Sequence, residues 1–170
     1  MIIKLELEID VPREEVWDLF VNHKNLPQWQ MGLKKVSEEK GDGDSQADPN
    51  EVFLLHYKID KNIQVVRETV SEKIEPETFQ AAYDHPRIPA HVVMTNTFVE
   101  EGDVTIWQVE QYVTFTRLDY RLFGRLLSSI LKHQQTHDML KFKAWAEGQK
   151  KSSRPKTKKK SKKAKRNKKR

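Results

Sequence analysis

The chain of 170 residues contains no cysteine. That excludes disulfides, thiol nucleophiles and thiolate metal sites, and suits a reducing compartment. It also lacks any run of about 18 apolar residues, so no membrane-crossing helix is expected. The opening MIIKLELEID has no basic region followed by an apolar one and does not read as a signal peptide. A soluble, cytoplasmic protein is the expectation. No Gly-x-Ser-x-Gly elbow occurs, which removes the usual serine-hydrolase nucleophile. Acidic residues are absent from one whole segment: from Lys150 onward there are 14 Lys or Arg and no Asp or Glu. The preceding residues hold 17 basic and all 25 acidic side chains, a net charge of −8, so the overall +6 describes neither part. An acidic body carries a cationic tail, and each needs its own reading.

Within the body, Met1–Asp10 sets Ile3, Leu5, Leu7 and Ile9 against Lys4, Glu6, Glu8 and Asp10. This period of two predicts a half-buried strand. After Val11, Pro12 and the acidic pair Glu14-Glu15 suit the start of a short helix, with Val16, Trp17, Leu19 and Phe20 as its apolar stripe. Asn22 and Asn25-Leu26-Pro27 end it, and LPQWQMGL forms a second short turn with Trp29 inward. Strands are expected at Leu33–Ser37, Glu51–Ile59, Ile63–Ile74, Thr78–Tyr83, Val92–Glu100 and Val104–Phe115. The tight turns KIDKN, KIEPE and EGD imply antiparallel hairpins. In the last strand Thr105, Trp107, Val109, Val113 and Phe115 share the parity expected to face the core.

Residues 119–147 contain one glycine and no proline, with Leu122, Phe123, Leu126, Leu127, Ile130 and Leu131 at helical spacing. One helix of roughly 43 Å is predicted there, with Gly148 as its C-terminal cap. The body is thus read as one domain over 1–148 and the tail as a disordered polycation over 149–170. Consecutive strands followed by a single long helix give an α+β fold: a seven-stranded antiparallel sheet with the helix across one face.

Four blocks carry a family resemblance: IDVPREEVWDLFVNHKNLPQWQMGL, VVRETVSEKIEPETF, TFVEEGDVTIWQVEQYV and MLKFKAWAE. Together they resemble the polyketide cyclase/dehydrase and START-like (SRPBCC) superfamily, over about residues 1–148. The resemblance implies the helix-grip fold, shared with the birch-pollen allergen, in which a curved sheet wraps the C-terminal helix around a hydrophobic cavity. It also implies binding of lipids, polyketides or other apolar molecules, with catalysis in some members.

Candidate chemistry is sparse. Glu68 in VVRETV and Glu110 in WQVEQYV lie on strands read as adjacent, and a pair of cavity carboxylates would suit general acid–base work. The plain alternative puts them at the strand surface or in an ion pair with Arg67 or Lys73. His85 and His91 flank a two-proline loop expected at the cavity mouth, where Tyr83 and Arg87 join them, and His91 is the third catalytic candidate. His133 and His137 have metal-sharing spacing, but HQQTH lacks the glutamate of the zinc-protease helix and no third ligand is identifiable. No cofactor or metal is expected. Phe79, Tyr83, Met94, Asn96, Phe98, Trp107, Val109, Leu127, Leu131 and Gln134 are the expected ligand-lining residues. Asn96 and Gln134 would need a polar partner once buried. The tail has no aromatic residue to stack on bases, and would attract nucleic acid or an anionic membrane without reading sequence. Three readings follow: a binding or carrier module for a small apolar ligand, a cyclase- or hydratase-like enzyme on the same cavity, and an accessory protein held at nucleic acid or the ribosome by its tail.

Overall fold

A computed structural model describes residues 1–39, 51–85, 90–116 and 124–153. Strand β1 (Ile2–Ile9) leads into helix α1 (Arg13–Val21), a 3-10 turn (His23–Asn25) and the four-residue helix α2 (Leu26–Trp29). Six strands follow: β2 (Leu33–Glu38), β3 (Val52–Ile59), β4 (Asn62–Ile74), β5 (Thr78–Asp84), β6 (Ala90–Glu101) and β7 (Val104–Phe115). Helix α3 (Gly124–Ser153) closes the order. The strands form one antiparallel sheet, β1-β7-β6-β5-β4-β3-β2, so the first and last strands are neighbours. This is the seven-stranded helix-grip arrangement, with two short helices after the first strand and a long helix at the end.

Local chemistry accounts for the joints. Between β3 and β4, Asp60 takes a φ of 53° in the two-residue turn that the pairing of Ile59 with Asn62 requires. Gly32 has a φ of 80°, and a Cβ there would lie 3.2 Å from the Lys58 carbonyl oxygen. Only glycine lets the chain pass so close to β3 on leaving α2.

The alternation in β7 works as the sequence implies. Thr105, Trp107, Val109 and Val113 are buried, while Gln108 and Tyr112 face out. The same parity in β6 turns Asn96 and Phe98 inward. These residues meet α1, α2 and the C-terminal half of α3 in an aromatic core centred on Phe20. Its ring centroid lies 5.1–5.8 Å from those of Trp29, Phe79, Phe98, Trp107 and Phe142. Burying such a ring stabilises the fold by about 1.5–3 kcal/mol, and edge-on contacts add about 0.5–1.5 kcal/mol each.

Helix α3 departs from expectation at its end. Gly148 lies inside the helix, which continues to Ser153. The reason is a set of anchors to the end of β1. Lys143 donates from Nζ to the Glu8 carbonyl at 2.6 Å, and Lys150 donates to the carbonyl and Oδ1 of Asp10 at 2.9 and 3.0 Å. The Asp10 amide donates in turn to Glu147 Oε1 at 3.0 Å. Lys150, assigned by composition to the tail, is therefore held against the body. The expected helical start at 119–123 and the rest of the tail, 154–170, lie outside the described residues.

Candidate ligand-binding site

Helix α3 does not lie evenly on the sheet. Its backbone approaches β1 and α2 most closely and stands off the middle strands. Met139, Phe142 and Ala146 in the C-terminal half are buried, whereas Leu127 and Leu131 in the N-terminal half are half-buried. Opposite them the concave face behaves alike: Val66 on β4, Tyr83 on β5, and Val92 and Met94 on β6 are also half-buried. Among the described residues one end of the sandwich is deeply buried, and at the other the apolar side chains are only half-buried.

Glu68 sits at the boundary between the two. It shares the inward parity of Val66 and Val70 and is only 2% exposed. Strand register places it between Phe53 on β3 and Tyr83 on β5. The Tyr83 hydroxyl donates to Glu68 Oε1 at 2.7 Å, and His23 Nε2 hydrogen-bonds Oε2 at 2.8 Å. His23 comes from the 3-10 turn, where the Asn22 side chain accepts the Lys24 backbone N–H at 3.1 Å and the Asn25 side chain donates from Nδ2 to the Leu19 carbonyl at 2.9 Å. Its ring stacks on Phe53 with centroids 3.6 Å apart. Nearby, the Tyr57 hydroxyl donates to Gln30 Oε1 at 2.7 Å, and Asp138 of α3 accepts the Met31 amide at 2.8 Å. Burial, followed by the charge of Glu68, pushes the hydroxyls of both Tyr57 and Tyr83 far above the usual tyrosine range. Burial also raises the Asp138 carboxyl.

The expected site residues divide. Phe79, Phe98, Trp107 and Val109 belong to the packed end. Asn96 is buried with them and finds its partners inside the chain: it accepts from Trp107 Nε1 at 3.1 Å and donates to the Phe79 carbonyl at 3.4 Å. Tyr83, Met94, Leu127 and Leu131 are half-buried. Gln134 is half-buried, but its neighbour Gln135 is the residue that reaches the sheet, accepting from Gln111 Nε2 at 2.9 Å.

Glu68 and Glu110 are not a pair. They occupy opposite faces, and β5 and β6 separate their strands. Glu110 lies on the convex face 2.9 Å from Lys4 Nζ, and hydrogen bonds from Tyr112 and Lys4 hold its carboxyl below the usual range. Arg67 and Lys73 do not neutralise Glu68 either, since they pair with Glu39 and Glu51. His91 also has the outward parity and contacts Asp84 through Nδ1 at 2.7 Å. His85 Nε2 hydrogen-bonds Gln64 Oε1 at 2.6 Å, and Arg87 lies outside the described residues. His133 is exposed, and His137 lies 3.6 Å from Asp138. Among the described residues no group of three or more His, Asp or Glu could hold a metal ion. No pattern in the sequence singles out His23, which the fold adds to the site. Its neighbours in sequence are ordinary turn residues, and only the fold brings it to Glu68, 45 positions away.

No protein-family model matches the sequence, and no curated protein matches it. Solved structures do match in three dimensions. The Zhui aromatase/cyclase from Streptomyces sp. R1128 is similar with a TM-score of 0.68 at 12% identity, over 86% of this chain and 93% of that one. Ara h 8.0201 gives 0.70 at 11% identity, covering 87% and 98% of the two chains. A START superfamily protein from Mycobacterium smegmatis gives 0.68 at 14%, again covering 87% and 98%. Among the described residues no helix is long and apolar enough to cross a membrane. Likeness at such identities is a likeness of fold: the chain has the helix-grip fold that these SRPBCC proteins share.

Proposed function

We propose that the chain binds a small, largely apolar molecule, such as a lipid, polyketide or aromatic metabolite, between the concave face and the N-terminal half of α3. The fold is typical of hydrophobic-ligand binding. The observation that carries the reading is the half-buried apolar lining, formed by Val66, Met94, Leu127 and Leu131, beside one buried polar cluster. Apolar side chains left half in water at the centre of a domain gain stability when a ligand covers them. Glu68, Tyr83 and His23 would orient the ligand's polar end.

Native mass spectrometry of the purified protein tests this directly, by the mass of a co-purifying molecule. Titration with a neutral apolar dye provides the second arm. Uptake is expected in the parent and strong weakening in Met94→Trp, which fills the hollow. A protein that carries nothing and takes up no dye would sink the reading.

One observation favours catalysis as the second reading. Glu68 is buried between a hydroxyl and an imidazole, the arrangement of a general base oriented by its neighbours. A cyclase- or hydratase-like activity would then release a changed molecule, which the same mass measurement distinguishes from a ligand returned intact. The basic residues beyond Ser153 would hold the domain near nucleic acid, a ribosome or an anionic membrane, independently of what occupies the hollow.

A further inference from the structure

We propose that one end of the domain is a docking surface for the chain's own basic segment, residues 154–170, so that polyanions and the body compete for it. That end is acidic because three joints of the fold meet there. Glu14 of α1, Glu77 of the β4–β5 turn and Glu100 of β6 lie 3.8, 3.7 and 3.4 Å from the one guanidinium of Arg13. The Phe98 amide donates to the Glu77 carbonyl at 2.8 Å, which holds the β4–β5 turn beside the end of β6. Glu75, Glu101 and Asp103 stand exposed in the same two turns and make no ion pair among the described residues. One arginine is thus divided among several carboxylates, and the patch keeps a net negative charge that further cations would relieve.

A second observation identifies the occupant. The acid-free basic run begins at Lys150, and its first member is already seated at this end. Lys150 Nζ donates to the carbonyl and Oδ1 of Asp10 at 2.9 and 3.0 Å, and its side chain is only 20% exposed. Helix α3 therefore delivers the residues after Ser153 to the acidic end of the body and not to the opposite one. Those 17 residues hold 12 Lys or Arg and no Asp or Glu. Extended, they reach up to about 60 Å, whereas the three-residue step from Asp10 to Arg13 spans at most about 11 Å. Lysine ammonium groups meet exposed carboxylates in any register, so charge alone, without a fitted groove, suffices for docking. Each exposed contact is weak, but tethering holds the segment at an effective concentration on the order of millimolar. Nucleic acids and anionic vesicles need the same ammonium groups and release counterions on binding them. The acidic end thus tempers the polyanion affinity of the segment, whatever ligand the domain carries.

Because the chain has no cysteine, a single nitroxide can be placed on the segment of the full-length protein through Ala164→Cys. Amide signals are then compared between the oxidised and the reduced label. At about 0.1 M salt, with a Debye length of about 10 Å, Glu75–Glu77 and Glu101–Asp103 should lose at least about half their intensity. The Asp60–Asn62 turn, at the other end of β4, should keep its intensity. At about 1 M salt, where the Debye length is about 3 Å, the loss should vanish. A saturating amount of single-stranded oligothymidylate should also restore the signals. Glu75→Gln/Glu101→Gln/Asp103→Asn, which breaks no ion pair, should shrink the loss by at least about twofold and tighten oligothymidylate binding several-fold. An absent or evenly spread loss at the lower salt overturns the proposal, as does one centred on Asp60–Asn62. A loss that survives the higher salt or saturating oligothymidylate overturns it too. These parent measurements decide the matter even where the triple variant fails to fold, and a folded variant with undiminished loss also counts against docking.

Discussion

Phe98 and Met94 lie four residues apart on one strand, on the same face, and should respond differently to truncation. Phe98 is 1% exposed and packs against Phe20, Trp17 and Trp107, with centroids 5.1, 6.0 and 6.1 Å away. Replacing it with alanine removes those contacts and leaves a cavity that the surrounding rings cannot close. The cost should be about 3–5 kcal/mol. Met94 is half-buried. Part of its surface is already in water, so the transfer term is reduced and little enclosed cavity forms. About 1 kcal/mol is expected, half of what full burial of the side chain contributes. Urea unfolding of both variants measures the two losses, and equal slopes would license the comparison. In thermal melts the Phe98→Ala shift should be on the order of 10 °C, and that of Met94→Ala only a few degrees. Equal, full-sized losses at both sites would show that the interior is filled throughout and would remove the basis for a ligand site.

Two further outcomes are expected. Tyr57 and Tyr83 both have hydroxyls raised above the ordinary value, so the folded state keeps protons that the unfolded state releases above a pH of about 10. Their contribution to stability is complete below that pH and falls as pH climbs toward the folded values, by up to about 1.4 kcal/mol per pH unit for each group. Tyrosinate absorbance should therefore show these two of the four tyrosines ionising only as the protein unfolds, and free titration of both in the folded protein would contradict the burial. Removing residues 154–170 deletes 12 basic side chains and should abolish salt-sensitive association with RNA, DNA and anionic vesicles while leaving the melting temperature unchanged. Polyanion binding retained after that cut would place the site on the folded body. A cut after Gln149 should cost up to about 1 kcal/mol more, because it also removes the Lys150 anchor to Asp10.

The strand parities were legible because a period-two pattern has only two solutions, and Trp107 with Val109 excludes one of them. The long helix was legible from its apolar spacing, but its end was not. Gly148 is a good cap by composition, yet Lys143, Glu147 and Lys150 make their bonds to residues more than 130 positions away, and those bonds carry the helix past it. Sequence separation also hid His23. The expected Glu68–Glu110 pair failed for a related reason, since hairpin connectivity sets the order β4-β5-β6-β7 and puts two strands between them.

Inward parity identifies what faces the helix, but not whether the helix touches it. That depends on the tilt of α3, which is set at one end by α2 and β1 and has no periodic signal along the chain. Phe98 and Met94 are indistinguishable by pattern; they differ because the rings of Trp17, Phe20 and Trp107 pack on the first, while the second is half-buried. The same tilt explains the division of polar groups. At the packed end Asn96 and Trp107 must satisfy each other, because nothing else can enter. Farther along α3, buried Glu68 takes its hydrogen bonds from Tyr83 and His23. Deep burial beside α2 and half-burial of Met94 and Leu131 are thus two consequences of one helix being anchored at a single end.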